Sequence, residues 1–270
     1  MISQPLLDRV LAFLDLPHAV PDAAWLARML DAYTRRVPWE SASRIVRRAE
    51  KEREEECPRW PEEFWETVLR ERSGGTCFET NYAVHAVLRR LGATVDLTIN
   101  DMGNTVGCHT ALIVHRDGMR LLVDPGFPVH VVLPLEPGRD SVAANRVMEY
   151  SAHFEADECY RIERDIPLNR YCYTLHAVPV SEAEYRRATV ADYRAEGLFL
   201  DRVVINTVIG DCVWRFTSAE RPWHLQAFVE RMRVDHMLEG SFDENLERIT
   251  RTFGMSPDTV RAALELIGAR

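Results

Sequence analysis

No C-x-x-C pair occurs in this chain of 270 residues, no apolar run reaches 18 residues, and no internal repeat or low-complexity segment interrupts it. The missing pair removes the common zinc-knuckle spacings. Six widely separated cysteines (57, 77, 108, 159, 172 and 212) at this length also argue against a disulfide scaffold. Without a long apolar run there is no candidate for a spanning helix. Net positive charge is missing as well: 33 Lys and Arg face 42 Asp and Glu, a formal charge of −9. Such a balance repels nucleic acid and anionic membranes, so neither is expected as a partner. The first twenty residues, MISQPLLDRVLAFLDLPHAV, carry Asp8 and Asp15 inside an amphipathic pattern, unlike a secretory signal. The expected address is a reducing cytoplasm.

What is present is 46% hydrophobic and 28% charged, enough for a folded protein with a sizeable core. Residues 1–92 read as helical: Leu6, Leu7, Val10, Leu11 and Leu14 recur at helical spacing, as do Trp25, Leu26, Met29, Leu30 and Tyr33. Pro38 ends one helix and biases Val37 towards extended backbone. The mixed-charge stretch 47–66 reads as a solvated surface excursion. A further helix carries Val84, Val87, Leu88 and Leu91 and stops at Gly92. From 93 to 180 the pattern turns to strands: TVDLTIN, HTALIVHR, MRLLVDPGF, VHVVLPL, YRIERD and RYCYTLHAV, the content of a small sandwich or barrel. From 181 to 270, SEAEYRRATVADYRAEG returns to helix and LFLDRVVINTVIGDCVWRF predicts a hairpin turning at Gly210-Asp211. The tail from Trp223 is expected to be helical, with Phe228, Met232 and Met237 in one segment and Val260, Ala263 and Leu264 in the last. The order places the chain in the α+β class.

One stretch, RSGGTCFETN, sets Cys77 behind two glycines and ahead of a helix. Thr76 to Glu79 spells T-x-x-E, a capping box that makes Thr76 the N-cap and Cys77 the first helical residue. A thiol there meets unpaired N–H groups and the positive end of the helix dipole, which lowers its pKa. A buried cysteine is also a common core residue, so a nucleophile needs a base and the base an orienting group. The hairpin at 109–126 supplies both. With its turn at Asp117-Gly118, Ala111 opposes Asp124 and His109 opposes Gly126. His109 and Asp124 are then diagonal neighbours on one face, within reach of an imidazole–carboxylate bond. The alternative is that Asp124 opens the next turn before Pro125 and His109 fills a strand face. His115, near the turn, and His85, two helical turns from Cys77, are weaker candidates.

GGTCFETN, HTALIV and LLVDPGF, in this order and at these separations, resemble the arylamine N-acetyltransferases, with R-G-G-x-C-F-E-x-N, H-x-x-L-x-V and V-D-x-G-F-G. VPWES, with Pro38 and Glu40, is similar to that family's P-F-E-N, LPLEPG to its Pro-Leu segment and ITRTFGMS to its C-terminal Phe-Gly stretch. The resemblance implies a helical domain over 1–92 bearing Cys77, an antiparallel β-barrel over 93–180 bearing His109 and Asp124, and an α/β lid over 181–270. It implies ping-pong transfer of an acetyl group from acetyl-CoA, through Cys77, to an arylamine or hydrazine, with no metal or prosthetic group. Thr105 falls at a CoA-contacting hydroxyl position, and Gly126 and Phe127 in the substrate-lining stretch. Four departures stand against it. Ser73 holds the place of the family arginine with Arg72 one residue off, and Trp39 replaces a phenylalanine. Ser41-Ala42 replaces Asn-Leu, and Pro128 replaces a glycine beside the acceptor pocket. They put an arginine pairing with Glu40 in question and imply a different acceptor pocket. Two other readings fit the same residues: an amide synthase or hydrolase using the same triad, and a catalytically silent relative that binds a small molecule.

Overall fold

A computed structural model describes residues 2–166 and 169–269. The first helices are α1 (Gln4–Leu14), α2 (Ala23–Arg36), α3 (Ala42–Glu50), α4 (Pro61–Glu71) and α5 (Cys77–Arg90), with a two-residue strand β1 (Trp39–Glu40) between α2 and α3. Local chemistry sets their ends. Asp22 accepts from Trp25 N–H at 2.7 Å to start α2, and α2 stops at Val37, extended before Pro38. Pro61 opens α4, which ends on Arg72 in the left-handed region. Helix α5 is buried almost all round, including Glu79, Thr80 and Asn81, so it runs through the middle of the molecule.

The strands that follow are β2 (Thr94–Met102), β3 (Thr105–Arg116), β4 (Met119–Val123), β5 (Leu133–Pro134), β6 (Ser141–Ala144), β7 (Glu149–Ala156), β8 (Cys159–Arg164) and β9 (Tyr171–His176). They form one antiparallel sheet in the order β5-β4-β3-β2-β9-β8-β7-β6. The sheet nearly closes on itself: the Ser141 hydroxyl of β6 donates to the Pro134 carbonyl of β5 at 2.6 Å. Arg116 pairs with Met119 and Leu112 with Val123, the register that the Asp117-Gly118 turn predicts. Strands β6 and β7 have no counterpart in the sequence reading. Conversely, the apolar run VHVVLPL enters the ladder only at β5. Val129, Val131 and Leu135 are buried as irregular backbone beside the barrel.

After α6 (Glu182–Ala191) come β10 (Val204–Ile209), β11 (Cys212–Thr217), β12 (His224–Val229) and β13 (Met232–Met237), then α7 (Phe242–Phe253) and α8 (Pro257–Leu266). The Gly210-Asp211 hairpin stands where expected. The helix expected after Trp223 does not: Phe228, Met232 and Met237 lie in the β12–β13 hairpin. Its turn, Glu230-Arg231, has φ of 48° and 67°. Left-handed turn positions are ordinarily marked by Gly, Asn or Asp, so this one carries no signal in the sequence. Strand β1 joins the same sheet, in the order β1-β10-β11-β12-β13.

Three cores result. Helices α1, α2, α4 and α5 pack on Leu112 and Val114 of β3. The next residues over, Ala111 and Ile113, fill the barrel with Leu122 of β4. Helices α3, α7 and α8 pack on the five-stranded sheet. The mixed-charge stretch 47–66 is not all solvated: Arg59, Phe64 and Trp65 are buried, hidden in sequence by the glutamates around them. Period-two alternation decides the site. His109 shares parity with Ala111 and Ile113, and Asp124 with Leu122, so both side chains lie on the barrel-interior face at its mouth.

Candidate active site

Cys77 is the first residue of α5, with extended Thr76 as N-cap. The capping box, however, does not form: the Thr76 hydroxyl accepts no cap hydrogen bond. The Glu79 side chain turns away to a stronger partner. It accepts from Arg59 N–H at 2.8 Å, from the Arg59 guanidinium and from the Tyr193 hydroxyl at 2.8 Å, all buried. Burial alone would raise the Glu79 pKa, but the Arg59 charge and its hydrogen bonds hold it below the ordinary carboxylate value. Arg59 also donates to the Gly74 carbonyl at 2.7 Å. The guanidinium beneath the glycine loop therefore comes from Arg59, while Arg72 is exposed at the end of α4. Glu40 holds the loop from the other side by accepting from Gly74 N–H at 3.2 Å and Ser43 N–H at 2.8 Å. A Cβ on Gly74 would fall 1.6 Å from the Pro38 carbonyl oxygen, so only glycine fits there.

The structure joins His109 and Asp124 as the hairpin register predicts, with Nε2 to Oδ2 at 2.8 Å and both side chains buried. The other Asp124 oxygen accepts from Gly126 N–H and Phe127 N–H at 3.0 Å each and from the Asn81 amide at 3.1 Å. Four nitrogens thus meet the two Asp124 oxygens in one buried knot, and the His109 ring packs on Tyr173 with centroids 4.3 Å apart and edge-on to Phe127 at 5.7 Å. Nε2 is the ring nitrogen that Asp124 engages, which leaves Nδ1 as the other ring nitrogen. The Cys77 thiol donates to the carbonyl of Cys108, the residue before His109, at 3.7 Å. Gly126 closes against both: a Cβ there would lie 2.3 Å from Asn81 Nδ2 and 2.9 Å from Cys77 Cα.

Burial pushes the Cys77 thiol well above its usual pKa, and the Asp192 and Asp124 charges add to this. This reverses the direction expected from the helix start. A helix terminus contributes about 1–2 kcal/mol at best, whereas full burial of a charge moves a pKa by up to about 3–5 units, roughly 4–7 kcal/mol. Burial is the larger effect.

Cys77, His109, Gly126 and Phe127 line one cavity of about 590 Å³. Thr105 does not; it is exposed at the start of β3. The far wall comes from the five-stranded sheet. Several contributors escaped sequence reasoning. Asn81 could have been found, because it lies one turn after Cys77 on the same helix face. Its amide also donates to the Thr110 carbonyl at 2.6 Å, and the Thr110 hydroxyl donates to the Cys77 carbonyl at 3.2 Å. Tyr185, donating to the Phe78 carbonyl at 2.8 Å, arrives from α6 with no local signal. Among the described residues no group of three His, Cys, Asp or Glu is placed to hold a metal ion.

A family model described as N-acetyltransferase matches residues 22–248. No curated protein matches the chain in sequence. Among solved structures, the arylamine N-acetyltransferase of Mycobacterium marinum in complex with CoA is 17% identical, covers 97% of this chain and 99% of its own, and superposes with a TM-score of 0.80. The Salmonella typhimurium arylamine N-acetyltransferase is 15% identical, over 98% and 99%, with a TM-score of 0.79. A Bacillus cereus arylamine N-acetyltransferase, described as having a Cys-His-Glu triad, is 18% identical over 94% and 100%, with a TM-score of 0.73. At such identities the likeness is one of fold.

Proposed function

The chain belongs to the arylamine N-acetyltransferase family, and from that premise we propose that Cys77 carries an acetyl group from acetyl-CoA to the nitrogen of an arylamine, hydrazine or related amine. The observation that carries this reading is the buried His109–Asp124 pair, whose histidine lines the same cavity as Cys77. CoA bound to the Mycobacterium marinum relative supports the choice of donor.

The proposed cycle has two halves. Nδ1 of His109 takes the Cys77 proton as sulfur attacks the thioester carbonyl, and Asp124 stabilises the imidazolium so formed. The first hydrogen bond of α5 runs from Thr80 N–H to the Thr76 carbonyl at 3.0 Å. The N–H groups of Cys77, Phe78 and Glu79 thus have no acceptor within the helix and are the candidates to hold the oxyanion. Collapse of the tetrahedral species breaks the carbon–sulfur bond to CoA, whose sulfur takes the proton from His109, leaving acetyl-Cys77. An amine then attacks the new thioester and passes its proton to His109. The amide leaves, and the proton returns to Cys77.

Intact mass after incubation with acetyl-CoA tests this directly. Wild type should gain one acetyl group and release CoA, and Cys77→Ala should gain none. No gain by wild type with any acyl-CoA overturns the reading.

A further inference from the structure

The cavity wall carries four arginines (Arg164, Arg215, Arg231 and Arg233) and, among the described residues, no aspartate or glutamate. In a chain of net charge −9 this is a local reversal of sign. Two of the four are spent on ion pairs: Arg231 with Asp165, and Arg233 with Glu220 and Asp235. Arg164 donates to the Asn169 carbonyl at 3.1 Å and faces the Phe127 ring at 5.7 Å, with no carboxylate partner among the described residues. Arg215 has neither an ion pair nor a hydrogen bond among the described residues. Burial depresses the Arg215 pKa, Glu220 opposes this, and the Arg164 and Arg233 charges depress it further. A cation in that position is uncomfortable until an anion arrives.

The surroundings of Arg215 are equally unfinished. Asn206, Arg215 and Gln226 stand side by side across β10, β11 and β12, with Trp39 of β1 opposite Asn206. All four line the cavity. The Gln226 side chain is fully buried, and among the described residues neither its amide oxygen nor the Trp39 indole N–H has a hydrogen-bond partner. A buried polar group without a partner is destabilising, so two of them flanking a guanidinium that has no ion pair are placed for something that comes and goes. The same cavity reaches Cys77 and is otherwise walled by apolar groups such as Met148, Ile166 and Phe228.

We propose that this row is an anion subsite, in which Arg215, helped by Arg164, binds a carboxylate or phosphate carried by one of the two substrates while its reacting atom lies at Cys77. The inference rests on the acyl-transfer reading and deepens it by naming a charge the substrate must carry. Three sources share this chemistry: a carboxylate on the amine, a carboxylate on the acyl group, and the phosphates of CoA.

Three matched pairs distinguish them in kcat/KM measurements on wild type, Arg215→Gln and Arg215→Lys. These are 4-aminobenzoate against 4-aminobenzamide as acceptor, malonyl-CoA against propionyl-CoA as donor, and acetyl-CoA against S-acetylpantetheine. A charge-assisted hydrogen bond of this kind is worth roughly tenfold or more. In wild type at least one anionic member should be favoured by about that factor. Arg215→Gln should bring the same ratio near unity, and Arg215→Lys should restore part of it. If all three ratios are unchanged in Arg215→Gln, the subsite is refuted while acetylation of Cys77 still stands. If wild type never acquires an acyl group, the transfer reading fails instead. Calorimetric binding of 4-aminobenzoate, malonyl-CoA and CoA to Cys77→Ala, with and without Arg215→Gln, then decides the subsite without turnover. An anion-binding loss on removing Arg215 supports it, and equal binding overturns it.

Discussion

The Cys77 thiol sits where two effects pull its proton in opposite directions. Its helix-start position favours thiolate, and its burial favours thiol; burial is the larger, and the thiol pKa is raised. In the proposed cycle, attack by Cys77 then depends on His109 accepting the proton. Alkylation by iodoacetamide at pH 7 should therefore slow by about 100-fold in His109→Gln, in line with the loss of a positioned base. An unchanged rate would mean that Cys77 ionises unaided. Asp124 is oriented towards the His109 ring by Gly126 N–H, Phe127 N–H and Asn81, which hold its other oxygen. A carboxylate with one partner alone would rotate freely.

Helix α5 and the loop before it depend on a buried ion pair rather than on a cap. Arg59 and Glu79 side chains are 3% and 1% exposed, and between them they reach Gly74, Tyr193 and the Arg59 backbone. Removing one partner strands the other charge out of water. Glu79→Gln should lower unfolding free energy by about 3–5 kcal/mol in urea titration. A loss within about 0.5 kcal/mol would show that the pair contributes little to holding the loop. At the glycines themselves, the guanidinium that reaches the Gly74 carbonyl is that of Arg59, while Ser73, the residue before Gly74, is buried. The β12–β13 hairpin matters for another reason. Read as helix, it would scatter Gln226, Phe228 and Arg233; as strands, it sets them on a wall of the cavity with Arg215.

Across the whole molecule, stability is expected to fall as the pH falls. Burial lowers His85 from 6.5 to about 4 and His130 to about 3. A depressed folded pKa means that the unfolded chain binds the proton first, so stability present above pH 6.5 is lost as pH falls through that window. Glu79, also depressed, adds to the loss below about 4.5. The melting temperature should fall steadily from pH 6.5 to 4, and His130→Gln should flatten the slope. A wild-type melting temperature constant from pH 7 to 4.5 would contradict this.

Local pattern was enough for the helix that starts at Cys77, for the Asp117-Gly118 turn, and through it for the His109–Asp124 pairing. Each depends on residues close in sequence, where propensity and period-two alternation act directly. Elements without a local signal went unread: β6 and β7, the two-residue β1, and a hairpin turned by Glu230-Arg231. The Thr76–Glu79 capping box was legible but wrong, because Arg59 and Tyr193 offered Glu79 a buried charged partner that no local cap can match. The direction of the Cys77 pKa and the arginine row of the cavity likewise belong to tertiary structure alone. Desolvation and the convergence of β1, β10, β11 and β12 with the barrel mouth depend on which distant segments meet, and short-range pattern carries no record of that.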